Sequence, residues 1–145
     1  MIYLDTSILT PLFREEATSK KVSEFLSRQA AGTLATSKWA SVEFASLTSR
    51  DVRMGVLSAA QGRRLLVEFE AMIANSLIVW FPSAKDFELA QKYAENFSTQ
   101  LRGPDALHLA VAHNNGAQFV ATLDDGMLSA AKKLKIPARR VIRRP

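Results

Sequence analysis

No cysteine occurs anywhere in this chain. That excludes disulfides, thiolate metal sites and cysteine nucleophiles together, and it suits a reducing cytoplasm, where the protein is expected to act. Long apolar runs are missing as well: no stretch approaches the ~20 uninterrupted apolar residues that a membrane span requires. The opening segment MIYLDTS meets an acid at its fifth residue, so it is not the apolar core of a signal peptide. No internal repeat, low-complexity tract or glycine/serine linker divides the sequence, and its 145 residues are expected to form one domain. An apolar fraction of 48% gives that domain a core.

Acids are missing from one end. From Lys132 onward there are seven basic side chains and no acid, whereas the rest of the chain carries 12 basic and 14 acidic residues. A net charge of +5 distributed in this way points to a polyanion met locally rather than over the whole surface. A solvated terminus accounts for the charge run equally well.

Strand-like apolar runs are short and widely spaced, at residues 2–4, 33–35, 77–81, 119–121 and, weakly, 141–142. Between them the apolar spacing is helical, over about 18–31, 38–54, 58–75, 84–97, 104–114 and 125–134. Gly32 and Gly116 stand where helices should stop, and Pro104 suits a first helical turn. This alternation predicts an α/β fold: a mainly parallel central sheet of four to five strands flanked by helices. The wholly helical segment between residues 36 and 77 predicts an αα-hairpin inserted between two strands.

In open sheets of this kind, binding sites lie outside the carboxyl ends of the strands. Asp5 ends the first strand, Asp124 follows the fourth and Asp105 opens a helix. Asp124, Asp125 and Asp105 each suit a helix start for structural reasons alone. Asp5 is harder to explain that way, because an acid directly after a buried strand loses solvation unless something pairs with it. Glu43 shares a helical arc with Trp39 and Leu47, which places a carboxylate among large apolar groups. Arg50 lies on the same arc, so a buried salt bridge is the structural alternative to a cleft.

Were the four acids to converge, two carboxylates ~5 Å apart would repel by roughly 3 kcal/mol at an effective dielectric of 20. Such a group persists only if some acids protonate or a cation neutralises them. All-oxygen ligands with no histidine or cysteine among them favour Mg²⁺ or Mn²⁺ over zinc. One or two such ions can activate water and clamp the attacking and leaving oxygens of a phosphodiester.

At this point four segments resemble a known family, the PIN-domain nucleases, and within it the VapC-type toxins of toxin–antitoxin pairs. MIYLDTS at residues 1–7 resembles the opening strand whose terminal acid is the first metal-site residue, here Asp5. SKWASVEFASLTSR at 37–50 resembles the acidic helix and maps the second acid to Glu43. PDALHLAVA at 104–112 is similar to the segment carrying the third, Asp105, and TLDDGML at 122–128 to the last motif, with Asp124 as the fourth. Each pattern alone is weak; all four occur in order and on the expected elements. The resemblance implies a PIN-like fold spanning 1–145, Mg²⁺- or Mn²⁺-dependent cleavage of RNA, a homodimer, and inhibition by a small cognate antitoxin. It also implies Asp124 rather than Asp125 at the metal.

Neighbouring polar residues have two readings each. Thr6 and Ser7 are placed to bond a water or a phosphate at the site, but Ser7 is equally sound as a helix N-cap. Thr122 is expected to orient Asp124. His108, one turn after Asp105, invites a general-base role, yet a packed structural histidine is the favoured reading, because water activated by a metal needs no histidine base. His113 reads as a helix end. Arg143 and Arg144 are expected to contact RNA phosphates.

Three alternatives remain: an RNA-processing PIN nuclease without an antitoxin, a degenerate PIN binding module, and a receiver-like phospho-acceptor. The receiver requires paired acids after the first strand and a lysine after the fifth. Here a single acid follows the first strand, and acids follow Thr122.

Overall fold

The short apolar runs form a parallel sheet in the computed structural model of the chain, which describes residues 1–143. Strand β1 (Ile2–Leu4) is central, between β2 (Leu34–Ser37) and β4 (Phe119–Ala121). The edges are β3 (Ile78–Trp80) and β5 (Ala138–Arg139), giving the order β3-β2-β1-β4-β5. All neighbours are parallel, and the register sets Tyr3 between Ala35 and Val120. The helices are α1 (Thr6–Leu9), α2 (Ser19–Ser27), α3 (Lys38–Arg53), α4 (Ala59–Ser76), α5 (Ala84–Glu95), α6 (Gly103–Asn114) and α7 (Asp125–Lys133). None of the described helices is long and apolar enough to cross a membrane.

Both faces of the sheet are covered, and strand alternation divides the core in two. Tyr3 and Val120 point into one half with Leu107, Leu109, Val111 and Met127. Leu4 and Ala121 point into the other with Ile8, Val22, Phe44, Phe69 and Ile73. Helix α6 is buried continuously from Ala106 to Ala112, so it is apolar all round rather than striped. That burial fixes the helix carrying Asp105 against the sheet.

The predicted αα-hairpin is α3 packed on α4. The Phe44 and Phe69 rings stack at 4.1 Å, and Phe13 meets both edge-on at 5.4 Å. The turn between the two helices passes through Gly55 at φ +73°, a conformation that a Cβ would strain. Ser58 and Gln61 then cap α4 reciprocally, each side chain bonding the other's backbone N–H.

Two expectations need correction. The last strand is Ala138–Arg139, paired with Val120 and Ala121, not residues 141–142. The apolar pair there serves packing instead: Ile142 is buried in the core half containing Leu4, with Val141 against it. After β1 come α1 and a 3-10 turn, Thr10–Leu12, each too short to show a period in the sequence. Helix α2 stops at Ser27, where residues up to 31 had been expected to continue it.

Candidate active site

The sheet order reverses at β1: the chain builds outward to β3 on one side, then returns to add β4 and β5 on the other. At such a switch point the loops leaving adjacent strands diverge and open a crevice. The junction of β1 with α1 supplies Asp5, Thr6 and Ser7, and the segment after β4 supplies Asp124. Helices α3 and α6 bring Glu43 and Asp105 from either side. All four acids line one cleft of about 480 Å³, together with His108.

Asp5 is the deepest. Its Oδ1 accepts from Ser7 Oγ at 2.6 Å and from the Ile8 N–H at 3.3 Å, and its Oδ2 accepts from Thr122 Oγ1 at 2.6 Å. Burial pushes this carboxyl above its usual range, against the opposing pull of His108 and these donors. The N-cap of α1 is therefore Asp5, not Ser7. Ser7 instead ties two loops together, accepting from the Leu123 N–H at 2.8 Å while it donates to Asp5. Thr122 reaches Asp5 directly and accepts from the Asp124 N–H at 3.0 Å, so it positions Asp124 through its backbone.

Glu43 does not pair with Arg50, whose nearest carboxylate is that of Asp51 at 4.0 Å. Its Oε2 meets His108 Nε2 at 2.5 Å and also accepts from the Thr6 hydroxyl. Burial raises the Glu43 carboxyl, but the bond and charge of His108 together with Thr6 outweigh it, and the group ends below its usual range. A carboxylate only accepts, so Nε2 carries the hydrogen. The other ring nitrogen, Nδ1, bonds the Tyr3 hydroxyl at 2.7 Å, and Tyr3 in turn bonds Ser37 Oγ at 2.7 Å. This line from Ser37 to Glu43 runs through fully buried groups. Tyr3 and Ser37 escape a sequence reading, because a tyrosine in an apolar strand looks like core.

Asp105 has no hydrogen bond or ion pair among the described residues. Burial raises its carboxyl from 3.8 to about 6, helped by the neighbouring charge of Asp124 and more weakly by Glu43 and Asp5. Asp124 is exposed and caps α7, its Oδ1 accepting from the Met127 N–H at 2.7 Å. Capping and cleft-lining thus coexist in one residue. Asp125 lies outside the cleft lining and pairs with Arg140 at 2.7 Å. His113 is exposed in the last turn of α6. Arg143 is exposed and does not line the cleft, and Arg144 lies outside the described residues.

Asp105 sets a pH dependence. The folded chain holds this proton to about pH 6, whereas the unfolded chain releases it near 3.8. The folded state therefore binds more protons between those values, and the group disfavours folding increasingly as pH rises through them. Metal-free Asp105→Asn should melt above the parent near pH 7.5, by on the order of 1 kcal/mol once solvent screening at this half-exposed site is allowed for. The difference should vanish by about pH 4. Melting curves of both proteins across that range check it; a gap that widens toward acid would contradict the assignment.

A family profile for the PIN domain matches residues 2–133. The chain belongs to the PIN-domain family. Solved structures share this PIN fold over nearly the full chain. The toxin VapC20 of Mycobacterium tuberculosis, described as cleaving the sarcin–ricin loop, is 20% identical, with 90% of this chain and 95% of that one covered at a TM-score of 0.74. VapBC-1 of nontypeable Haemophilus influenzae is 18% identical over 99% of this chain and 100% of that one, at 0.70. VapBC2 of Rickettsia felis, bound to a fragment of promoter DNA, is 16% identical over 96% and 98%, at 0.62. No curated protein matches in sequence.

Whether this PIN site suits a cation is a question for its donors. Among the described residues no group of three acids or histidines already stands in position to hold one ion. The donor set is nonetheless of the right kind. Every acid offers oxygen, Asp105 is unpartnered, and Glu43 and Asp124 each keep one carboxylate oxygen without a hydrogen-bond partner. Such a surplus of negative charge around a half-buried, unpartnered carboxylate fits Mg²⁺ or Mn²⁺.

Proposed function

We propose that this chain is a Mg²⁺- or Mn²⁺-dependent endoribonuclease acting in the cytoplasm as the toxin of a toxin–antitoxin pair. The observation that carries the reading is the convergence of Asp5, Glu43, Asp105 and Asp124 on one cleft at the switch point of the sheet. These four would hold the metal. When bound, one or two such ions supply positive charge that activates water and neutralises the phosphate.

The chain's own groups prepare that site. Ser7, Thr122 and the Ile8 N–H hold the Asp5 carboxylate in one rotamer. His108 and Thr6 do the same for Glu43, with Tyr3 locking the imidazole from behind. In this reading His108 orients and takes no proton from water, because both ring nitrogens are engaged. We read residues 1–145 as one PIN domain that works as a homodimer and is silenced by a small antitoxin. The basic end, with Arg143 and Arg144, would meet RNA phosphates. The fold shared with VapC20 and the VapBC proteins supports the toxin assignment.

The test is incubation of the purified chain with RNA and Mn²⁺, with and without excess chelator. Cleavage is expected only with metal. Mn²⁺ alone should also raise the melting temperature by a few degrees, since it binds the folded state. Cleavage that persists unchanged under chelation would sink the reading.

A further inference from the structure

The cleft presents a difficulty for a polyanionic substrate: its lining holds four acids and no lysine or arginine. A second hollow of about 340 Å³ continues beyond Asp105 and Asp124, lined by Gln100, Leu101, Arg102 and Gly126 along with those two acids. Arg102 is the single basic residue lining either space among the described residues. It is exposed, and it makes no side-chain hydrogen bond or ion pair there.

We propose that Arg102 grips an RNA backbone phosphate next to the one being cleaved, on the α7 side of the cleft. The inference rests on the nuclease reading and names the positioning residue for its substrate. A guanidinium offers a planar fork that fits two phosphate oxygens, and it keeps its charge at any working pH. An RNA strand crossing Asp105 and Asp124 would carry its neighbouring phosphate into the hollow where Arg102 stands.

The backbone under Arg102 is organised for this role. Its carbonyl accepts the Ala106 N–H at 2.9 Å, which fixes it at the start of α6, three residues before Asp105. The preceding loop turns through Gln100 at φ +54°, a left-handed conformation uncommon outside glycine. Bonds on both sides secure that turn. The Thr99 N–H donates to the Asn96 carbonyl at 2.9 Å, Leu101 N–H donates to Thr99 Oγ1 at 3.2 Å, and Lys133 donates to the Ser98 carbonyl. Opposite, Gly126 leaves the hollow open; a Cβ there would approach Asp124 Oδ1 to 3.0 Å. A strained, well-bonded turn that delivers one unpaired arginine to an acid-lined cleft fits a substrate contact.

Because Arg102 makes no side-chain cap bond, Arg102→Ala should fold and melt like the parent. Binding of a fluorescent single-stranded RNA of mixed sequence should be measured in chelator across a salt series, and steady-state cleavage measured in Mn²⁺. The expected result for Arg102→Ala is about tenfold weaker binding and a salt slope flatter by about 0.7, the contribution of one phosphate on a single strand. KM should rise about tenfold with kcat little changed. Arg102→Lys should keep the slope but recover only part of the affinity, since it restores charge without the fork. If the parent binds and cleaves RNA and Arg102→Ala does both equally well with the same slope, this inference is overturned while the nuclease reading stands. If the parent binds but never cleaves, and Arg102→Ala still loses affinity and slope, the nuclease reading falls and the phosphate contact stands. A parent that neither binds nor cleaves RNA overturns both.

Discussion

Asp5→Asn should abolish RNA cleavage, by on the order of a thousandfold or more, which is at least about 4 kcal/mol of barrier, while the fold persists. The side chains are nearly isosteric, and the three donors around Asp5 show how the amide would fit. Its oxygen can replace Oδ1, keeping the bonds from Ser7 Oγ and the Ile8 N–H. Its NH₂ then faces Thr122 Oγ1, a hydroxyl able to turn and accept. The substitution also removes a buried charge that burial disfavours, so metal-free stability should stay within about 1 kcal/mol of the parent. RNA affinity without metal should hold or improve, because one negative charge has left the cleft. Growth arrest on expression should disappear with cleavage. Asp125→Asn is the control, as Asp125 lies outside the cleft lining. Both variants should be assayed at equal folded concentration. Parental activity in Asp5→Asn beside an inert Asp125→Asn would show that the wrong acid has been placed at the metal.

His108→Ala should carry the largest stability cost, about 3 kcal/mol. The ring is fully buried, so its loss leaves a cavity. It also strands two polar partners, the Tyr3 hydroxyl and the Glu43 carboxylate. For a chain of this length that corresponds to a fall in melting temperature of about 10 °C. Cleavage should fall as well, because Glu43 would be held by Thr6 alone. His113→Ala, at an exposed position in the last turn of the same helix, should change neither. Equal melting temperatures for the two variants would mean that the line from Ser37 to Glu43 does not support the site.

Much of the scaffold can be read from sequence, for physical reasons. Ile2–Leu4 and Phe119–Ala121 are visible because a strand buried on both faces must be apolar without interruption. The α3–α4 hairpin is visible because two long helices repeat their apolar stripe often enough to be counted. The final strand escapes because two residues paired at an edge carry no pattern, and one of them is Arg139. Within the site, Asp5 stands out because an acid ending a buried strand demands an explanation. What meets it does not stand out. Thr122 lies 117 residues away, and only the β1–β4 pairing brings it to 2.6 Å. Glu43 has the same history: its helical face suggested Arg50, seven positions on, whereas its partner is His108, 65 positions on. Arg102 gives no signal at all, since an exposed arginine is unremarkable until its surroundings prove acidic.

The central position of β1 has a consequence for the timing of activity during synthesis. The strand is made before both its neighbours, which arrive far apart, β2 soon after it and β4 only from Phe119 onward. Until β4 pairs, Asp5 lacks Thr122, Ser7 lacks the Leu123 N–H, and Asp124 has not been brought to the cleft. An unfinished chain therefore holds Asp5 without the groups that orient it. If the protein is a toxin that degrades RNA, a chain whose β4 has not yet paired with β1 is inert, and it becomes dangerous only once that pairing is made.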